Sequence, residues 1–303
     1  MTSVLCIGEA MVEVAMASDT AREAGIGFAG DTLNTAIYLK RSAPDLRVAY
    51  ATKLGQDKLS DRMVAFMAEE GLDTRLVLRD PDRMPGLYAI STDTRGERSF
   101  MYWRDFSAAR QLFEAPALSF EDIVRFDLVY FSAITLAILS PDHRALLTDL
   151  LSRYRASGGR VAFDSNYRPR LWETPDAAQE AIATAWRLTD VGLPSVDDEQ
   201  ALFGDGTEAE VLARLAGFGL RLGALKRGAM GPLALDGTPA GRFAPAERVV
   251  DSTAAGDSFN SGYLATLLSG GGQQECLEAG HNLAARVVSI RGAIAPRAEE
   301  PAQ

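Results

Sequence analysis

Six short apolar runs punctuate the chain, and their spacing constrains the fold more than any other feature of the sequence. They are Val4-Leu5-Cys6-Ile7, Val48–Thr52, Leu128–Phe131, Val161–Phe163, Val191–Leu193 and Leu222–Lys226. Each is continuous rather than alternating, and the first ends at Gly8. That is the pattern of strands buried on both faces of a parallel sheet. Helical stripes lie between them: Leu59, Met63, Phe66 and Met67 form one, and Leu146, Leu147, Leu150, Leu151 and Tyr154 another. Alternation of this kind predicts an α/β fold, a central mainly parallel sheet with helices on both faces. No internal repeat or linker-like stretch interrupts it, so residues 1–303 are expected to form a single domain.

Two regions break the alternation. Ala10–Met16, and the pair Gly86–Thr92 and Ser99–Arg104, alternate apolar and polar residues as half-exposed antiparallel strands do. The pair is joined by Asp93-Thr94-Arg95-Gly96-Glu97, a plausible hairpin turn. Such strands form either an edge of the main sheet or a small β lid over a ligand cleft, drawn from about residues 9–30 and 85–105. An exposed lid face is also a surface on which a second subunit can pair.

Composition removes several functional classes. Asp and Glu number 41 against 31 Lys and Arg, a net charge of −10, so the chain has no overall electrostatic footprint for nucleic acid. Two cysteines and two histidines exclude a disulfide framework, a four-Cys zinc site and a three-His zinc site. Cys6 and Cys276 are expected as reduced core thiols. No run of 18 apolar residues is present and the N-terminus lacks a basic leader region, so a cytoplasmic protein without a membrane partner is expected.

The strongest motif is DSTAAGDSFNSGYL, residues 251–264. A β-like stretch, Arg248-Val249-Val250, leads into small residues, and a helical pattern begins at Asp257 with Phe259, Tyr263 and Leu267 on one side. Small residues before a helix leave backbone N–H groups bare, a ready site for a phosphate. A carboxylate facing such a site does not bind the anion. Asp257 is either an N-cap or a base that takes a proton from a hydroxyl attacking the phosphoryl group.

That string resembles the C-terminal signature of the ribokinase/PfkB family of sugar kinases, usually close to D-T-x-G-A-G-D. Ser252 and Ala254 depart from the commonest form, while Asp251, Thr253, Ala255, Gly256 and Asp257 match. The resemblance implies a ribokinase-like fold, an anion hole from Ala254, Ala255, Gly256 and Asp257, and Asp257 as catalytic base. FAGDTLNTAIYLKR, residues 28–41, is similar to the family's N-terminal signature and implies sugar contacts from Gly30, Asp31 and Asn34. An Asp and an Asn at a loop–helix junction can accept from and donate to vicinal hydroxyls. Gly25-Ile26-Gly27-Phe28-Ala29-Gly30 also satisfies G-x-G-x-x-G. No buried strand precedes it, so the dinucleotide-binding reading is rejected. No G-x-x-x-x-G-K-[ST] occurs.

GLYAIST (86–92), GERSFMYWRD (96–105) and FDSNYRPRLW (163–172) resemble the 2-keto-3-deoxygluconate kinase branch of that family more than ribokinase or fructokinase. By this resemblance Tyr88, Tyr102, Arg104, Asn166 and Arg168 contact a small sugar acid. Arg104 and Arg168 offer planar forks suited to a carboxylate, and Arg168 is preferred to Arg170. The resemblance further implies ATP, with Lys226, Gly228, Asp251, Thr253, Gly256 and Asn282 on the nucleotide side, and Mg2+. Family members usually carry Asn-x-x-Glu near the metal. Here Ser195-Val196-Asp197-Asp198-Glu199 stands in its place, so the acid is Asp198 or Glu199; Asp198 is taken, acting through water.

The expected activity is ATP-dependent phosphorylation of 2-keto-3-deoxygluconate at its 6-hydroxyl, by a homo-oligomer built through the lid. The alternatives are a kinase for another sugar or sugar acid, and a sugar-acid-binding regulator without catalysis. Against the second stands Asp257, since a sensor needs no base.

Overall fold

The apolar runs become the strands of an eight-stranded sheet in the computed structural model, which describes residues 1–16, 23–92, 98–239 and 241–297. In chain order the strands are β1 (Ser3–Ile7), β2 (Met11–Met16), β3 (Ala24–Ala29), β4 (Arg47–Leu54), β5 (Val77–Arg79) and β6 (Gly86–Thr92). They continue with β7 (Arg98–Trp103), β8 (Leu128–Ser132), β9 (Arg160–Asp164), β10 (Val191–Gly192), β11 (Leu222–Leu225) and β12 (Leu233–Ala234). The main sheet has the order β12-β11-β10-β9-β8-β1-β4-β5, and only the β11–β12 pairing is antiparallel.

Because side chains alternate across a strand, successive residues enter opposite layers. Leu5, Ile7, Val129, Phe131, Val161 and Phe163 pack beneath the helices Pro141–Ala156 and Pro175–Arg187. Val4, Cys6, Tyr50, Leu128 and Tyr130 face the helices Asp31–Ser42, Lys58–Glu69, Ala255–Leu268 and Gln273–Val287. Each such apolar side chain contributes about 1.5–3 kcal/mol by leaving water, and both cysteines are buried and unbridged. Leu146 departs from its expected stripe and is exposed, the outer edge of a helix whose Leu147, Leu150, Leu151 and Tyr154 carry the burial.

The alternating segments form a separate four-stranded sheet rather than an edge of the main one, in the order β3-β2-β6-β7. β2 pairs with β6 in parallel and the other two pairings are antiparallel, with Tyr88 opposite Tyr102. β3 comes from the glycine-rich stretch that mimicked a dinucleotide loop. Gly25 and Gly27 lie on an exposed edge strand, where apolar patterning is absent and sequence periodicity is silent. The turn 93–97 lies outside the described residues.

Two further expectations are corrected. Arg248-Val249-Val250 forms no strand; Val249 is exposed and the Val250 N–H donates to Val288 O at 2.8 Å. The catalytic-signature helix starts at Ala255, not Asp257. The parallel strands of the main sheet end along one edge, which therefore carries Glu9, Ser132, Asp164 and Lys226. In open α/β sheets that edge is where ligands bind.

Candidate active site

A cleft of about 870 Å³ lies along that edge, walled by the strand ends, the N-termini of the helices 31–42 and 255–268, and the inner face of the small sheet. Asp257, 8% exposed, lines it from the first turn of the helix Ala255–Leu268. Ala254 precedes this helix in the left-handed region, at φ 61°, and is the one non-glycine residue with positive φ among those described. A left-handed alanine costs about 1–2 kcal/mol, and it sets the entry angle of the helix. The Ala255 N–H donates to Ser252 O at 3.2 Å. Of the four residues expected to form the anion hole, Ala255 thus has its amide turned to Ser252, while the amides of Ala254, Gly256 and Asp257 lie in a first turn without intrahelical acceptors.

Asp257 does not cap its own helix. Its Oδ2 accepts from Asn34 Nδ2 at 2.8 Å, which ties the start of one helix to the start of the other. Burial pushes the Asp257 carboxyl up to about 8; the nearby Asp31 and Asp164 carboxylates add to this, and Asn34 and Lys226 oppose it. Burial likewise raises Asp31, which accepts from Ser132 Oγ and from Asn166 Nδ2 at 2.8 Å.

Lys226 follows β11 directly and carries positive charge to the helix N-terminus. Its Nζ lies 2.9 Å from Asp164 Oδ1 and 3.1 Å from Asn260 Oδ1, and a methyl group on Gly256 would stand 3.5 Å from it. Asn260 Nδ2 in turn donates to Asp164 Oδ2 at 2.7 Å and to Tyr130 OH at 3.0 Å. Asp164 and Asn260 were not singled out from sequence. The available signal for Asp164 was its position immediately after the buried run Val161–Phe163.

On the sugar side, Gly30, Asp31, Asn34, Tyr88, Tyr102, Arg104, Asn166 and Arg168 all line the cleft, and Arg170 does not. Tyr88 is buried and donates to Glu13, while Tyr102, its cross-strand partner at 5.9 Å between rings, is exposed to the cleft. Arg104 is buried against Glu9. Arg168 is half exposed and lies 3.4 Å from Asp198.

On the opposite side Lys226, Gly228, Thr253 and Gly256 reach the cleft, but Asp251 and Asn282 do not. Asp251 is buried, accepting from Thr253 N and Oγ1 and from Gly292 N, so it folds the loop that presents Thr253 and Ala254. Asn282 is exposed on the far side of its helix. The cleft-facing residues there are His281, Ala284, Ala285 and Val288, one apolar helical face. His281 Nε2 meets Ala244 O at 2.6 Å and so pins the loop carrying Pro245 and Ala246.

Asp198 and Glu199 separate cleanly. Glu199 is buried beneath the sheet against Trp186 Nε1 and Arg214, with its carboxyl raised by burial to about 7. Asp198 lines the cleft, its carboxyl raised by burial to about 6. Among the described residues no group of three metal-ligating side chains assembles. A Mg2+ held mainly by phosphates and water needs few protein carboxylates, and Asp198, loosely paired and facing the cleft, fits that demand.

Comparison with known proteins gives the family. The family model described as "pfkB family carbohydrate kinase" matches residues 1–300. A 2-dehydro-3-deoxygluconokinase of Dickeya dadantii (strain 3937) is 43% identical over 310 residues, covering 99% of each chain. The enzyme of the same name from Escherichia coli (strain K12) is 42% identical over 306 residues, covering 98% of each. Among solved structures, a PfkB protein from Polaromonas sp. JS666 superposes with a TM-score of 0.83 at 29% identity, over 95% of this chain and 96% of that one.

Proposed function

The chain belongs to the PfkB family of carbohydrate kinases, and from that premise we propose that it transfers the γ-phosphoryl group of ATP to the 6-hydroxyl of 2-keto-3-deoxy-D-gluconate. The products are 2-keto-3-deoxy-6-phosphogluconate and ADP. The observation that carries the reading is the Asp257 carboxylate, held by Asn34 in the first turn of a helix whose amides open on the same cleft as Lys226. The names of the two relatives and the arginines of the sugar wall support a carboxylated substrate.

In this reaction the 6-hydroxyl oxygen bonds to the γ-phosphorus as the bond from that phosphorus to the bridging oxygen of ADP breaks. Asp257 takes the hydroxyl proton. The Gly256 and Asp257 amides and Lys226 Nζ stabilise charge on the transferred oxygens, already oriented before the reaction begins. Asp31, Asn34 and Asn166 fix the sugar hydroxyls, and Arg168 and Arg104 its carboxylate. Mg2+, when bound, offsets phosphate charge; Asp198 is the side chain placed to hold it through water. The small sheet acts as a lid that keeps water from taking the phosphoryl group.

The test is an ADP-release assay on 2-keto-3-deoxygluconate beside ribose, fructose and gluconate. Turnover confined to the keto-deoxy acid is the expected result. Turnover on a neutral sugar instead would sink the roles given to Arg104 and Arg168. A lid-to-lid homo-oligomer belongs to the same proposal, because Trp103 and Phe106 stand 59% and 83% exposed at the end of β7. Sedimentation is expected to give a dimer or larger species, and a monomeric mass would overturn it.

A further inference from the structure

Four chain crossings join the main sheet to the small one, and Glu9 touches or forms all four. Glu9 itself lies on the passage from β1 to β2. Gly30 carries β3 into the helix Asp31–Ser42, and a Cβ there would stand 2.2 Å from Glu9 O. Gly86 opens β6, and a Cβ there would stand 2.7 Å from Glu9 Oε1 and 3.2 Å from Arg104 Cβ. Arg104 follows β7, and its Nη2 donates to Glu9 Oε2. At two of the four crossings, then, the atom a Cβ would meet first belongs to Glu9.

The pair is buried, with Glu9 at 2% and Arg104 at 9% exposure, yet both line the cleft. Its bonding is incomplete. A carboxylate and a guanidinium can form two parallel hydrogen bonds. Here Glu9 Oε1 and Arg104 Nε are buried with no hydrogen-bond partner among the described residues. Leaving buried polar atoms unpaired costs stability, so simple fold stabilisation does not account for the arrangement. A single tether does account for it: one corner of the guanidinium is fixed and its other donors are left for a ligand.

We propose that Glu9 is a positioning residue for substrate binding, tethering Arg104 at the hinge of the small sheet so that the guanidinium meets the sugar acid as that sheet closes. This rests on the reading of the cleft as a sugar-acid site. Glu9 touches neither reacting atom and acts through Arg104.

A double-mutant cycle on the full chain tests it. Glu9→Gln is expected to raise KM for 2-keto-3-deoxygluconate about tenfold, the size of one charge-assisted hydrogen bond, with kcat within about threefold of wild type. Arg104→Gln is expected to raise KM by at least as much, and the double variant no further. Gly86→Ala keeps both charges but displaces Oε1, and is expected to reproduce the Glu9→Gln phenotype; it carries the test if Glu9→Gln fails to fold. An unchanged KM in either Glu9→Gln or Gly86→Ala, or effects that multiply in the double variant, would overturn the proposal. Wild-type turnover of a neutral sugar alone would overturn the substrate assignment instead, whereas turnover of the keto-deoxy acid with an unchanged KM in Glu9→Gln would overturn the tether and leave that assignment standing.

Discussion

Asp257→Asn is expected to lower kcat by about 10²–10⁴-fold, the range that general-base catalysis contributes, and at the same time to stabilise the fold. The sign follows from the raised carboxyl. Its usual value is 3.8 and in the folded protein it stands at about 8, so between those values the native state binds a proton the unfolded chain releases. Asp257 therefore makes the fold less stable as pH rises from about 4 to 8, because the unfolded chain ionises there and the buried carboxyl does not. The asparagine carries no such penalty, and the variant's gain in Tm over wild type is expected to be largest at pH 8 and to vanish near pH 4. Activity runs the opposite way, because the base works ionised: kcat/KM of the wild type is expected to rise through an acid limb centred near pH 8. Loss of turnover with a higher Tm separates a missing base from an unfolded protein. Asp257→Asn retaining a tenth or more of wild-type kcat would remove Asp257 from the reaction.

The main sheet was legible because strands buried on both faces leave continuous apolar runs, and each of the six such runs is found in a strand. The short edge strands β5 and β12 and the glycine-rich β3 were not: three and two residues are too few to show a period, and glycines in β3 leave no side chains to alternate. The reacting end of the site was read from one contiguous string, residues 251–264, and its local conformation followed from small residues before a helix. What sequence reading missed is nonlocal. Asn34 and Asp257 lie 223 residues apart and meet only because two helix N-termini converge at one end of the sheet.

Glu9, Asp164 and Lys226 stand within two residues of a strand end and share the sheet edge to which parallel strands run. A charged residue placed just beyond a buried parallel strand is a signal that sequence alone carries, and only Lys226 was taken up from it. Asn282 shows a different failure. The helix does face the cleft, but residues 281, 284, 285 and 288 form the facing stripe, and a shift of one position turns a side chain about 100° away.

Lys226→Met tests the other half of the charge arrangement and is expected to have two separable effects. The ammonium stands at the helix N-terminus between Asp164 and Asn260, and Asp164 is only 2% exposed. Methionine keeps most of the side-chain volume but leaves the Asp164 carboxylate buried without a cation. Breaking a buried pair in this way costs about 3–5 kcal/mol, which thermal or urea denaturation reads directly. Turnover is expected to fall as well, by about 10²–10³-fold, as for the loss of one preorganised group at a transition-state oxyanion. The double variant Lys226→Met/Asp164→Asn divides the two effects. With both charges gone, Asn260 still has a polar partner at position 164, so most of the lost stability is expected to return while turnover does not. Recovery of turnover along with stability would reduce Lys226 to a structural counter-ion, and the charge on the transferred phosphoryl group would then rest on the helix amides and the metal alone.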